Sequence, residues 1–174
     1  MKTLEKITKT ALFFIMLLGL MMQQSCGVYS FTGASIPPEA KTFSVQQFPN
    51  NALLVEPLLS DQFSNALRDK FMSQTSLKMT GANGDLSFEG EITDYSTLPV
   101  AIQSDQTAAL NRLTITVNVR FTNKFEESKS FENKFTHYVD YPSDRDLNSM
   151  KDGLITEITD VLVDNIFNKA VVNW

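Results

Sequence analysis

Between Arg112 and Thr122 the chain alternates without exception. Leu113, Ile115, Val117, Val119 and Phe121 fall on one side, and Arg112, Thr114, Thr116, Asn118, Arg120 and Thr122 on the other. A period of two held over this length marks a strand with one face buried and the other in water. Such a strand requires strand neighbours and a cover for its apolar side, so the pattern commits the chain to a sheet packed on one face. Ser130 to Asp140 supplies the neighbour. Placing Phe131, Phe135 and Val139 on the same apolar face pairs Phe121 with Phe131, Val117 with Phe135 and Leu113 with Val139. That register sets Arg120 opposite Glu132 and Arg112 opposite Asp140. These pairs played no part in choosing it, and each contributes a few tenths to ~1 kcal/mol.

The other segments fill in around this hairpin. Thr42 to Phe48 reads as a short strand with Phe43 and Val45 on one side, closed by the turn Pro49-Asn50-Asn51. From Ser60 to about Thr75, Phe63, Ala66, Leu67, Lys70 and Phe71 share one helical face, with Ser60 as the expected N-cap and Asp61 in the first turn. Gly81-Ala82-Asn83-Gly84 is a turn, and Leu86 to Tyr95 alternates again, followed by a link from Ser96 to Leu110. A long helix is expected from about Asp144 to Ala170, with Leu147, Met150, Leu154, Ile158, Val161, Leu162 and Asn165 on one stripe. Ser143 and Asp146 resemble a capping box. The expected fold is α+β: a two-layer sandwich of order β-α-β-β-β-α, with a four-stranded, mostly antiparallel sheet and two helices on one face.

The start of the chain is different in kind. Lys2, Lys6 and Lys9 precede the apolar run Ala11 to Met22, which is shorter than the ~20 residues that a spanning helix needs. This is the layout of a secretory signal. Cys26, the single cysteine of the 174 residues, follows directly in Gln24-Ser25-Cys26-Gly27, as in a bacterial lipobox, although Gln23 stands where an aliphatic residue is usual. The expected organisation is a lipoprotein signal peptide over 1–25, a lipidated tether over 26–41 carrying Pro37-Pro38, and one domain over 42–174. With a single cysteine no internal disulfide is possible, and a free thiol would be a liability in an oxidising compartment.

The leader holds three of the 15 basic side chains and one of the 20 acidic ones, which leaves residues 26–174 with a net charge of −7. That balance argues against nucleic acid as a partner. With one histidine and one cysteine there is no His/Cys metal cluster, no cysteine nucleophile and no expected cofactor. His137 falls on the apolar side opposite Ile115, where a core or rim role outweighs a catalytic one. Glu89 and Glu91 share a strand face at ~7 Å, a spacing compatible with a glycosidase pair but better explained as solvated strand residues. Five basic residues lie in the hairpin: Arg112, Arg120, Lys124, Lys129 and Lys134. The two arginines are ~27 Å apart along the strand and cannot share one phosphate. Both also face carboxylates in the derived register, so the residues left to meet an anionic lipid or phosphate are Lys124, Lys129 and Lys134, with Arg120 beside them; a solvated, edge-charged hairpin is the better explanation of the set.

Four phrases resemble the LptE family of lipopolysaccharide-assembly lipoproteins: Cys26-Gly27-Val28-Tyr29-Ser30-Phe31-Thr32-Gly33, Leu67-Arg68-Asp69-Lys70-Phe71, Asn111-Arg112-Leu113-Thr114-Ile115 and Ile166-Phe167-Asn168. The resemblance implies a non-enzymatic lipoprotein on the periplasmic face of the outer membrane, held there by acyl chains. It would sit as a plug in an LptD-like β-barrel and assist the placement of lipopolysaccharide in the outer leaflet. The alternative reading is a lipid-anchored periplasmic module for another envelope ligand, with the Ser96 to Leu110 link as a pocket wall.

Overall fold

The structure is a computed structural model that describes residues 36–100 and 109–172. The signal peptide, Cys26 and most of the tether lie outside the described residues.

The elements run β1 (Thr42–Val45), α1 (Leu59–Gln74), β2 (Lys78–Met79), β3 (Leu86–Val100), β4 (Leu110–Asn123), β5 (Phe131–Pro142) and α2 (Leu147–Val171). The sheet has five strands in the order β2-β1-β3-β4-β5, with β1 parallel to both β2 and β3 and the remaining pairs antiparallel. The α+β class holds, but the sheet is mixed and gains a strand over the expected four. The extra strand, Lys78–Met79, is exposed on both residues. It is held by backbone pairing to β1, with Lys78 N–H donating to the Lys41 carbonyl and Thr80 N–H to that of Phe43.

The β4–β5 register is the expected one at every derived pair, including Arg120 with Glu132, Arg112 with Asp140 and Ile115 with His137. Asn123 closes the turn by accepting the N–H groups of Phe125 and Glu126 on its side-chain oxygen, 3.0 Å each. Strand β3 runs on to Val100, so the first part of the expected Ser96 to Leu110 link is sheet, and residues 101–108 lie outside the described residues. A bulge between Ile92 and Asp94 shifts the phase of the strand. Leu86, Phe88 and Ile92 point inward before it, and Tyr95 after it.

Both helices cover the apolar face. Six rings pass contact across the layer: Phe43 to Phe71 at 5.5 Å, Phe71 to Phe88 at 4.7 Å, Phe88 to Phe121 at 4.8 Å, Phe121 to Phe131 at 5.3 Å and Phe131 to Phe135 at 6.2 Å. Phe167 of α2 joins at Phe71, 5.0 Å away. Arg68 ties α1 to the end of β1 by donating from Nε and Nη2 to the Val45 carbonyl.

Two helix details differ from expectation. Ser60 does not cap α1: the N-cap is Leu58, and the Ser60 hydroxyl donates to the Phe48 carbonyl at 2.6 Å, pinning the first turn to the loop after β1. In α2 the capping box of Ser143 and Asp146 does not form, since Asp146 makes no side-chain cap and Ser143 N–H donates to the Ala109 carbonyl. The buried stripe of α2 is Leu154, Ile155, Ile158, Thr159, Leu162, Val163, Ile166, Phe167, Ala170 and Val171; Asn165 is exposed and Val161 half-buried. Adjacent pairs recur every four residues, and at 3.6 residues per turn that row winds by about 40° per step. A helix crossing the layer obliquely buries such a row, whereas the expected stripe ran parallel to the axis.

Candidate interaction surface

The side chains of β3, β4 and β5 that point away from the helices form a polar open face. Arg120 stands between two carboxylates of neighbouring strands, its guanidinium 3.3 Å from Glu132 and 3.7 Å from Glu89. Asn118 donates to the other Glu132 oxygen at 3.1 Å, and Gln46 to Glu89 at 2.8 Å. Asn51 donates to Glu91 at 2.6 Å. Nearer the far end of the strands, Arg112 grips Asp140 with two hydrogen bonds of 2.7 and 2.9 Å and lies 3.7 Å over the Tyr138 ring. Thr116 and Thr136 share a hydroxyl hydrogen bond of 3.0 Å. Around Gly90 the face dips into a shallow depression of about 430 Å³, lined by Gln46, Glu89, Glu91, Asn118, Arg120 and Glu132 among others.

Gly90 is one of the residues that line this depression. Its φ is +155°, and a Cβ there would stand 2.0 Å from the Asn118 carbonyl oxygen and 2.7 Å from the Phe48 ring. The absent side chain lets β3 close on β4.

Several carboxyls are held below their ordinary range. Asp140 is lowered chiefly by its hydrogen bonds from Arg112, and Glu132 by Asn118 first and then by Arg120. Asp85 is lowered first by the Lys41 N–H and next by the Thr42 hydroxyl, both donating to one oxygen where β1 and β3 begin. A carboxyl with a lower pKa folded than unfolded stabilises the fold above its unfolded pKa, and that stability is lost as pH falls through the folded value. The urea midpoint should therefore stay level from pH 7 to about 5 and fall below about pH 4.5. Asp140→Asn should lower the neutral midpoint slightly and flatten the acid limb. An unchanged acid limb in that variant would exclude Asp140 as a contributor.

The residues expected to meet an anion occupy two places. Arg120 and Lys134 are on the open face, Lys134 opposite Asn118. Lys124 and Lys129 are at the β4–β5 turn, with Lys124 Nζ 3.9 Å from Asp85 and Lys129 Nζ 2.6 Å from Glu126. Lys169 of α2 stands with Lys129 around a 240 Å³ pocket and lies 5.1 Å over Phe131. Glu89 and Glu91, weighed as an acid/base pair, are each tied to a neighbouring amide. His137 is half-buried on the inward side, its ring 6.0 Å from that of Tyr138. Among the described residues no group of His, Cys, Asp and Glu is arranged to hold a metal, and no helix is long and apolar enough to cross a membrane.

Sequence reasoning missed one feature. The loop from Ala52 to Leu58 presents Leu53, Leu54, Val55 and Leu58 to solvent while tucking Glu56 inward, 2.9 Å from Lys151 of α2. Its run of aliphatics has neither helical nor strand period, so periodicity could not place it.

The fold and this surface define a class: small α+β domains with helices on one sheet face and a polar face left open. Within it, the chain matches the family model described as LptE, lipopolysaccharide-assembly, over residues 40–170, and it belongs to that family. Among solved structures it is similar to a minor lipoprotein from Acinetobacter baumannii, at 13% identity and a TM-score of 0.50, covering 75% of this chain and 91% of that one. It is also similar to a putative neuraminyllactose-binding hemagglutinin homolog from Helicobacter pylori, at 8% identity and a TM-score of 0.51, covering 78% and 86%. At these identities the likeness is one of fold. No curated protein matches the chain.

Proposed function

We propose that this chain is a non-enzymatic outer-membrane lipoprotein that works with an LptD-like β-barrel in placing lipopolysaccharide in the outer leaflet. The observation that carries the reading is the family match, which spans residues 40–170 and so takes in every described strand, α1 and all of α2 but its last residue. The open face supports it. Strands of alternating charge and hydroxyl, already hydrogen-bonded among themselves, suit contact with the wet interior of a barrel. Cys26, acylated after removal of residues 1–25, anchors the protein to the periplasmic leaflet, where a diacylglycerol and an amide-linked chain give firm attachment. Direct contact with lipopolysaccharide is assigned to Lys124, Lys129, Lys134 and Arg120. Since Lys124, Lys129 and Arg120 already face carboxylates, such contact requires exchange of partners.

Extraction of envelopes in mild detergent tests the reading. The protein should co-purify with a large outer-membrane barrel protein, and fatty-acid label should appear in the native chain and be lost in Cys26→Ala. A labelled protein that runs alone would contradict the barrel partnership, and label persisting in Cys26→Ala would contradict the anchor.

A further inference from the structure

We propose that the loop Ala52 to Leu58 is a membrane-inserting element that seats its aliphatic side chains in a phospholipid bilayer. Leu53 is 103% exposed, Val55 67%, Leu54 57% and Leu58 56%, a contiguous apolar surface within six residues. Scattered exposed leucines are ordinary, but a contiguous patch on a small domain marks an interaction site.

The loop is built rather than loose. Asn51 N–H donates to the Ile92 carbonyl, the Asn50 side chain accepts from Ala52 N–H and donates to the Glu56 carbonyl, and Leu59 N–H closes the Glu56-Pro57-Leu58-Leu59 turn. The flanking Ala52 and Leu59 are buried at 5% and 0%. The aliphatics are thus held outward by a fixed backbone, with little ordering left to do on insertion.

Its chemistry favours lipid over protein. The exposed large side chains of the loop are purely aliphatic, whereas protein hot spots draw on Trp, Tyr and Arg. From Gln46 to Ser60 the only charged residue is Glu56, which is 8% exposed and neutralised by Lys151. Entry of the loop into hydrocarbon therefore carries no bare charge with it. The reach is sufficient if Cys26 is acylated, on which this one argument rests. Residues 26–35 can extend about 35 Å at most. From Asp85, where the domain's first strand is tied in, to the Ile92–Tyr95 stretch beside the loop is about 25–30 Å of strand.

The test uses the full chain reconstituted from detergent into phosphatidylcholine vesicles, with no other protein present. In a Trp174→Phe background, Leu54→Trp is compared with Thr136→Trp on the open face, both exposed positions where the core is untouched. With bromine-labelled acyl chains the Leu54→Trp emission should be blue-shifted and fall about two-fold or more, as for a side chain 5–10 Å into the interface, while Thr136→Trp stays unquenched. Adding Leu53→Asp and Val55→Asp should abolish the quenching. Equal quenching at the two positions would overturn the proposal. So would a blue shift without bromolipid quenching, which would place the loop against a second copy of the chain. Fatty-acid labelling and barrel co-purification read the anchor and the partner separately, so their failure is distinguishable from failure of the loop.

Discussion

Phe71→Ala should lower the stability of the domain by about 3–5 kcal/mol, a large share of what a domain this size has to lose. Phe71 is fully buried, and its ring contacts Phe43 of β1, Phe88 of β3 and Phe167 of α2 at 4.7 to 5.5 Å. It is the point at which both helices and two strands meet. Truncation removes the transfer energy of the ring and leaves a cavity whose walls belong to four elements. Those walls cannot collapse together without moving the helices against the sheet. Urea unfolding should show the midpoint falling with the slope unchanged. Met72→Ala, one residue on and 47% exposed, should stay within about 0.5 kcal/mol. A loss at Phe71 no larger than at Met72 would mean that the aromatic layer does not carry the core.

Gly90→Ala should cost about 2–4 kcal/mol although it adds a single methyl group. Two independent effects act together. The backbone at φ +155° is rarely adopted by an L side chain, and the new carbon would meet the Asn118 carbonyl oxygen at 2.0 Å. Because that oxygen is backbone in β4, relief requires the strands to part at the middle of the sheet. Gly153→Ala provides the contrast. It lies inside α2 with nothing within 4 Å of the added atom, so it should gain up to about 1 kcal/mol from helix propensity. Urea midpoints of the two variants should move in opposite directions. If both rise, the close approach of β3 and β4 at Gly90 is wrong.

The hairpin was legible because its information is local and redundant. Apolar alternation set the face, and the pairs Arg120 with Glu132 and Arg112 with Asp140 checked the register. Elements held by other means were not legible. Lys78–Met79 buries no side chain and exists as a strand through backbone pairing to β1, which leaves no trace in hydrophobic order. The sequence pattern ends β3 near Tyr95 because the bulge breaks the alternation, and Pro99 reads as a breaker. Pro99 is tolerated because β1 accompanies β3 only at its start, so the missing N–H disturbs no pairing on that edge. On the surface, the arginines were placed with their partners, but the pairings of Lys124 with Asp85 and Lys129 with Glu126 depend on turns that periodicity does not describe. The same holds for the apolar loop, whose shape is set by hydrogen bonds from Asn50 and Asn51.

In the proposed function the polar open face of the sheet, rather than the helix layer, meets the barrel partner. Photo-crosslinking in intact outer membranes tests it most directly, with a photoreactive residue at Thr116 or Thr136 on the open face and, in a second set, at Glu157 on the exposed side of α2. Adducts of the mass of a large barrel protein from the open-face positions, and none from Glu157, are the predicted result. Adducts from Glu157 alone, or none to any barrel protein, would contradict the claim.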